Sequence, residues 1–320
     1  MATASNEQIA VSVICNTYNH ERYIRDALES FLAQKTTFAF EVLVHDDAST
    51  DHTADIVREY EEKYPEIIKP IYETVNQYSL HNGMIKKLQF GRAKGKYIAV
   101  CEGDDYWTNP LKLQKQYDAM EAHPEVDMCA HAASVVRGGK TISVISPRKE
   151  FCIIPAEDVI LGGGGYFATN SLFYLRSLRD NPPKFYQHLG FDYSVQIWGS
   201  LRGGILYLPD NMSVYRKGVE NSWTARMDVD KSRCLEHIEK VIGMLEILAT
   251  EVEPSLVPTV NQAIANEKNA ILKRKIAILE AEQNFHEIKH GETRDAYRKL
   301  PLKRKMKITA KQFLHFLRLK

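Results

Sequence analysis

The sequence predicts an α/β fold: a doubly wound, mainly parallel sheet followed by a helical extension. Three observations predict it. Short apolar runs alternate with helix-period segments over the first 210 residues. Polar residues crowd where the apolar runs end. Beyond about residue 225 the pattern turns wholly helical. Strands separated by helices of about 10–15 residues imply βαβ units and a parallel sheet.

The elements follow in order. Ala10–Cys15 (AVSVIC) reads as a buried strand. Glu21–Ala33 reads as a helix, with Tyr23, Ile24, Ala27, Leu28, Phe31 and Leu32 on one face. Phe40–Val44 is a second strand and Thr53–Tyr64 a second helix, with Asp51 or His52 at its cap. Ile67–Tyr72 is a third strand. A helix around His81–Ala93 follows, then Gly95 breaks the chain before a fourth strand, Tyr97–Cys101. Asn109-Pro110 opens the next helix. Gly162–Gly165 reads as a loop before a strand at Ser171–Leu175. Residues 228–250 and 255–289 are long, charged and helical. The division this implies is a domain over 1–225 and a helical extension over 226–320.

The composition excludes several classes. The chain has 320 residues, 44% apolar and 26% charged, ordinary values for a globular protein able to bury a pocket. No run of about 18 apolar residues marks a membrane span. The start, MATASNEQIAVSVIC, lacks the basic and apolar regions of a secretory signal. Five scattered cysteines without a CxxC fit free thiols in a reducing compartment. The expected location is therefore the cytoplasm.

Charge is unevenly spread. Residues 301–320 hold seven Lys/Arg and no acid; without those seven, 35 basic residues face 41 acidic ones, a body of net charge −6. As a helix this tail groups Ile308, Phe313, Leu314, Phe316 and Leu317 with lysines around them, the pattern of an interfacial helix on an anionic membrane. The bland alternative is a helix packed on the protein itself. Nucleic acid fits poorly, because the body is acidic. Long amphipathic helices after residue 228 also suit a homodimer.

Chemistry concentrates at the strand ends. In such sheets ligands sit beyond the carboxyl ends of the strands. Strand one runs into Asn16-Thr17-Tyr18-Asn19, strand two into His45-Asp46-Asp47, and strand four into Glu102-Gly103-Asp104-Asp105. Crowded carboxylates repel unless a cation or ligand donors compensate. Hard oxygen donors select Mg²⁺ or Mn²⁺, and Mg²⁺ typically uses one or two protein carboxylates plus phosphates. Gly103 would let the backbone approach a ligand closely.

These stretches carry a resemblance. VSVICNTYNHERYIRDALESFLAQ, then FEVLVHDDASTD, then AKGKYIAVCEGDDYW with its KLQKQ helix closely resemble the family 2 glycosyltransferases over residues 9–225. The resemblance implies the GT-A fold, a nucleotide-sugar donor (a UDP-sugar most simply), a Mn²⁺ or Mg²⁺ cofactor and a glycan or lipid-linked acceptor. It places Thr17 and Tyr18 against the nucleobase, with Asp47 contacting it, and Lys86 near the diphosphate. Glu102-Gly103-Asp104 falls on the DxD position, with Asp104 as metal ligand and Asp105 beside it. Glu102 stands where Asp is usual. Asp192, at the start of a helix, matches the acid that deprotonates the attacking hydroxyl in inverting members. Arg216 lies in the stretch that closes over the diphosphate, where many relatives carry a histidine that this chain lacks. The QxxRW motif of processive members is missing, which points to addition of a single sugar. The rival from another class is a non-catalytic nucleotide-sugar-binding scaffold.

Other motifs fall away. His286-Glu287-Ile288-Lys289-His290 spells HExxH but lacks a third zinc ligand. Neither GxGxxG after the first strand nor GxxxxGK[ST] occurs.

Overall fold

A computed structural model describes residues 8–80, 83–190, 192–220 and 222–318. The chain divides into two compact units, 1–222 and 223–320.

The first unit is an α/β sheet structure. Its strands are β1 (Val11–Thr17), β2 (Phe40–Asp46), β3 (Ile68–Tyr72), β4 (Tyr97–Val100), β5 (Tyr106–Trp107), β6 (Met128–Arg137), β7 (Lys140–Ile145), β8 (Cys152–Ile154), β9 (Phe173–Leu175) and β10 (Ile205–Arg216). The order is β3-β2-β1-β4-β9-β6-β10-β5, with β7 beside β6 and β8 beside β10. From β3 to β4 every pair is parallel, Val13 lying between Val42 and Ala99. Strands buried on both faces need continuous apolar runs, and VSVIC and YIAV supply them. Beyond β4 the sheet is mixed: β9 is antiparallel to β4 and β6, and β10 returns parallel to β6. The expected fold class holds, and its parallel half carries the strand ends that bear polar residues.

Several element ends differ from expectation for local reasons. The first helix is Ile24–Leu32, because residues 21–23 form a turn whose amides at Tyr23 and Ile24 both bond to His20 O. The helix placed around His81–Ala93 is Met84–Arg92, entered through left-handed Gly83 (φ 68°); His81 lies outside the described residues. Asn109 starts the next helix from a distance: its side chain takes Leu111 N–H and its carbonyl takes Lys112 N–H, and the helix runs Lys112–Ala122. The strand expected at Ser171–Leu175 is shortened to Phe173–Leu175, because Thr169–Ser171 form a 3₁₀ turn.

The core of this unit packs Ile24, Leu28 and Phe31 of the first helix against Val11, Val13, Val42, Val44 and Ala99. Phe31 meets Trp107 edge-on at 4.7 Å between ring centres. Gly95 is needed at a close crossing: a Cβ there would lie 2.5 Å from Ser12 N.

The second unit is helical. Lys231–Glu251 is capped by the Asp230 carboxylate, which accepts Arg233 N–H. Val257–Ala281 packs on it through Ile271 against Cys234, Ile238 and Ile242. The helix expected to continue to 289 stops at Ala281: Gln283 turns left-handed (φ 60°) and Asn284 caps a new helix, Phe285–His290. His286 and His290 stack there at 4.9 Å, and no cluster of metal-ligating side chains occurs among the described residues.

The tail forms helix Leu302–Arg318. Ile308, expected on a membrane-facing side, is fully buried against Ile276, Phe285 and Ile288. Leu314 is exposed; the side chains of Phe313, Phe316 and Leu317 lie outside the described residues. Among the described residues no helix is long and apolar enough to cross a membrane.

Candidate active site

The ends of β1, β2 and β4 bring their polar residues to one rim. At β1, Thr17 is buried, its hydroxyl 3.2 Å from His20 Nδ1, while Tyr18 is exposed. Burial pulls the His20 pKa down, with Asp104 opposing. Of the two residues assigned to the nucleobase, Tyr18 alone faces outward. In the loop after β2, Ala48 holds a left-handed backbone (φ 61°), a strained conformation for a residue with a Cβ.

Asp47 is buried, and its two oxygens accept the backbone N–H groups of Gln77 at 2.7 Å and Tyr78 at 3.0 Å. In this arrangement Asp47 fastens the loop after β3 to the end of β2. Its remaining lone pairs are what it could offer a base.

The acidic loop after β4 divides its roles. Gly103 approaches protein, not open space: a Cβ would lie 2.6 Å from Thr17 Oγ1 and 3.0 Å from His20 Nδ1. The missing side chain is what lets the acidic loop pass so close to the end of β1. Asp105 also turns inward. It is buried, and its oxygens accept Arg216 N–H at 2.8 Å and Asn170 Nδ2 at 3.0 Å. Burial, then Asp104, push its pKa well up. In this structure Asp105 acts as an internal brace. Arg216 donates Nη1 to the Asp104 carbonyl at 2.9 Å and pairs with Asp26 through Nη2. Its guanidinium lies 4.4 Å from the Tyr106 ring centre.

Glu102, Lys86 and Asp192 meet across a cavity of about 70 Å³, which Asn16, Thr169 and Arg179 also line. That space holds roughly two waters. Burial, then Asp192 and Asp104, push Glu102 up to about 8. Burial pulls Lys86 down, with Asp192 opposing. Asp192 opens helix Asp192–Ser200, and its carboxylate accepts the Thr169 hydroxyl. Sequence reasoning missed Arg179. Its guanidinium is wedged 4.2 Å from the Phe90 ring centre, with Nη2 donating to Tyr174 at 2.9 Å and Nε lacking a partner. It also missed Thr169 and Asn170, a polar pair just before an apolar strand.

The donor set suits a hard cation. Burial first, then the negative charges of Asp192 and Asp104, raise Glu102, and added positive charge would relieve that. No group of three or more metal-ligating side chains stands ready among the described residues. A metal here would take one or two carboxylates, with phosphate and water completing its shell.

A mixed sheet, parallel on the side where paired acids and a polar strand end converge, with a further acid at a helix start across a cavity, defines a GT-A-type fold. The chain belongs to the family described as Glycosyl transferase family 2, which matches residues 12–218. It is 37% identical over 219 residues to an uncharacterized protein of Mycobacterium tuberculosis, a match covering 67% of this chain and 60% of that protein. An uncharacterized glycosyltransferase of Nostoc sp. is 30% identical, covering 67% of each. The putative teichuronic acid biosynthesis glycosyltransferase TuaG of Bacillus subtilis is 36% identical over 116 residues, 36% of this chain and 44% of TuaG. Among solved structures, S. aureus TarS with UDP-GlcNAc superposes with a TM-score of 0.62 at 20% identity, covering 93% of this chain and 78% of TarS 1–349. A Pyrobaculum calidifontis mannosyltransferase with GDP-Man and Mn²⁺ gives 0.56 at 19% identity, covering 86% and 76%. These likenesses establish the fold.

Proposed function

We propose that the protein transfers a single sugar, with inversion, from a UDP-sugar to a glycan or lipid-linked acceptor on the cytoplasmic side of the cell envelope. The observation that carries this is Asp192 facing Glu102 and Lys86 across one cavity at the strand ends. The names of relatives support it: TarS is seen with UDP-GlcNAc, and TuaG is assigned to teichuronic acid biosynthesis.

Asp192 accepts the proton of an acceptor hydroxyl as its oxygen bonds to the anomeric carbon. The bond from that carbon to the diphosphate breaks on the opposite face, and the nucleoside diphosphate leaves with the electron pair. Asp104, with Glu102 beside it, would hold Mn²⁺ or Mg²⁺, which when bound neutralises the departing diphosphate. Lys86 adds positive charge on the cavity side. Arg216 braces the acidic loop through the Asp104 carbonyl. Tyr18 offers an exposed ring beside the base, and Asp47 sets the adjoining loop. On helix Leu302–Arg318, exposed Leu302 and Met306 beside Lys303 and Lys307 form the side that would meet an anionic membrane.

Calorimetric titration of UDP and GDP, each with and without Mn²⁺, tests the donor site. Metal-dependent UDP binding that disappears in Asp104→Ala supports it. A folded protein that binds neither nucleotide overturns it.

A further inference from the structure

The 3₁₀ turn Thr169–Ser171 touches both halves of the site. Asn170 is fully buried, and each polar atom of its side chain is used. Nδ2 donates to Asp105 Oδ2 at 3.0 Å and to the Val214 carbonyl at 2.9 Å, while Oδ1 accepts the Ser213 hydroxyl at 2.7 Å. Its own carbonyl accepts Trp107 Nε1–H at 3.0 Å. One residue earlier, the Thr169 hydroxyl donates to Asp192 Oδ2. One residue later, the Ser171 carbonyl accepts Gln116 Nε2–H at 2.9 Å. The turn itself is closed by Ser171 N–H and Oγ–H, both donating to the Ala168 carbonyl, at 2.9 and 2.7 Å.

A buried Asn can serve the core alone. Thr169 argues for more. Its partner Asp192 is solvent-exposed and would be hydrated without it, so the bond fixes a carboxylate's direction without sparing it a desolvation cost. Two consecutive residues thus grip an exposed acid on one helix and, through Asp105, the loop that carries Asp104. Asp105 passes the constraint on, since its second oxygen holds Arg216 N–H and Arg216 holds the Asp104 carbonyl. Reacting groups must be held within a fraction of an ångström, and side chains locked by a surrounding shell do this best.

We propose that Thr169 and Asn170 are positioning residues, a two-residue strut that fixes the Asp192 carboxylate relative to the acidic loop 102–105. This rests on the reading of Asp192 as the general base and Asp104 as the metal-side acid. Thr169→Val keeps the shape and loses the donor, so Asp192 is free to rotate. Turnover then falls by about 10–100-fold with nucleotide binding unchanged. Asn170→Ala frees Asp105, and UDP–Mn²⁺ binding weakens.

The test uses the full chain. UDP release from UDP-glucose, UDP-galactose and UDP-GlcNAc with Mn²⁺ is measured for wild type, Thr169→Val, Thr169→Ser and Asp192→Asn, beside calorimetry with UDP and Mn²⁺. The strut predicts a lower kcat in Thr169→Val with donor KM within twofold, recovery in Thr169→Ser, and turnover lowered by about 100-fold or more in Asp192→Asn. Wild-type kcat in Thr169→Val beside an impaired Asp192→Asn overturns the strut and leaves the base. Full turnover in Asp192→Asn overturns the base reading instead. Where none of the three donors turns over, calorimetry decides. A Kd for UDP–Mn²⁺ at least tenfold higher in folded Asn170→Ala, or in Asn170→Ser should the alanine variant precipitate, upholds the strut; an unchanged Kd overturns it.

Discussion

The ammonium of Lys112 sits 3.9 Å from the centre of the Trp107 ring, wholly buried and without a hydrogen-bond acceptor. Burial pulls its pKa from 10.5 down to about 7, the thiols of Cys101 and Cys129 opposing. Between those two values the unfolded chain takes up a proton that the folded chain does not. Stability therefore falls as pH falls through that window and levels off below it. Lys112→Met should raise the melting temperature by about 4 °C or more at pH 7, and by less at pH 10. An equal gain at both pH values would show that the ammonium is not the source of the cost.

Asp192→Asn should leave UDP–Mn²⁺ binding within twofold while lowering turnover by about 10²–10⁴-fold. Asn keeps the Thr169 contact by offering its carbonyl oxygen, so the loss would come from the missing base and not from a displaced helix. Weakened nucleotide binding of the same size as the lost turnover would move Asp192 to the donor side.

Gly103→Ala tests the close approach of the acidic loop to the end of β1. The added carbon would press on Thr17, which is itself buried, so the loop must shift. A loss of about 1–3 kcal/mol of stability is expected, with UDP–Mn²⁺ affinity falling because Asp104 moves with the loop. Urea melts and calorimetry on one preparation check both. Full stability with wild-type affinity would mean that the loop is slack.

How much of this was legible follows from where the information lies. The strands β1 to β4 could be read because parallel strands buried on both faces are continuous apolar runs, and the acids at their ends are what no core would tolerate uncompensated. The mixed half was harder. Strand β10 (ILYLPDNMSVYR) interrupts its apolar run with Pro-Asp-Asn, and β7 is largely exposed. The first gives no period, and the second alternates only over Thr141–Val144, with Ile142 and Val144 exposed. The directions of Asp105 and Gly103 could not be read from the sequence: which group an acid meets inside the fold depends on a residue 65 positions away. Thr169 and Asn170 fall between the Gly162–Gly165 loop and the strand expected from Ser171, and only the fold shows what they hold.

Glu280 governs the attachment of the C-terminal helix. Its carboxylate is 5% exposed and accepts Arg304 Nη2–H at 2.6 Å and Lys311 Nζ–H at 2.7 Å, one on either side of buried Ile308. Two cations of the basic tail are thus spent inward, and Lys303 and Lys307 remain on the exposed side. Both inward partners stay more than a third exposed, so the pairs are screened and the loss in Glu280→Gln should be about 1–2 kcal/mol. That loss should appear locally. Hydrogen exchange should speed up at least tenfold across residues 302–318 and stay unchanged in helix Val257–Ala281. Unchanged protection in 302–318 would mean that Ile308 alone holds the helix. Faster exchange in both helices would mean that Glu280 supports the unit as a whole and not the tail in particular.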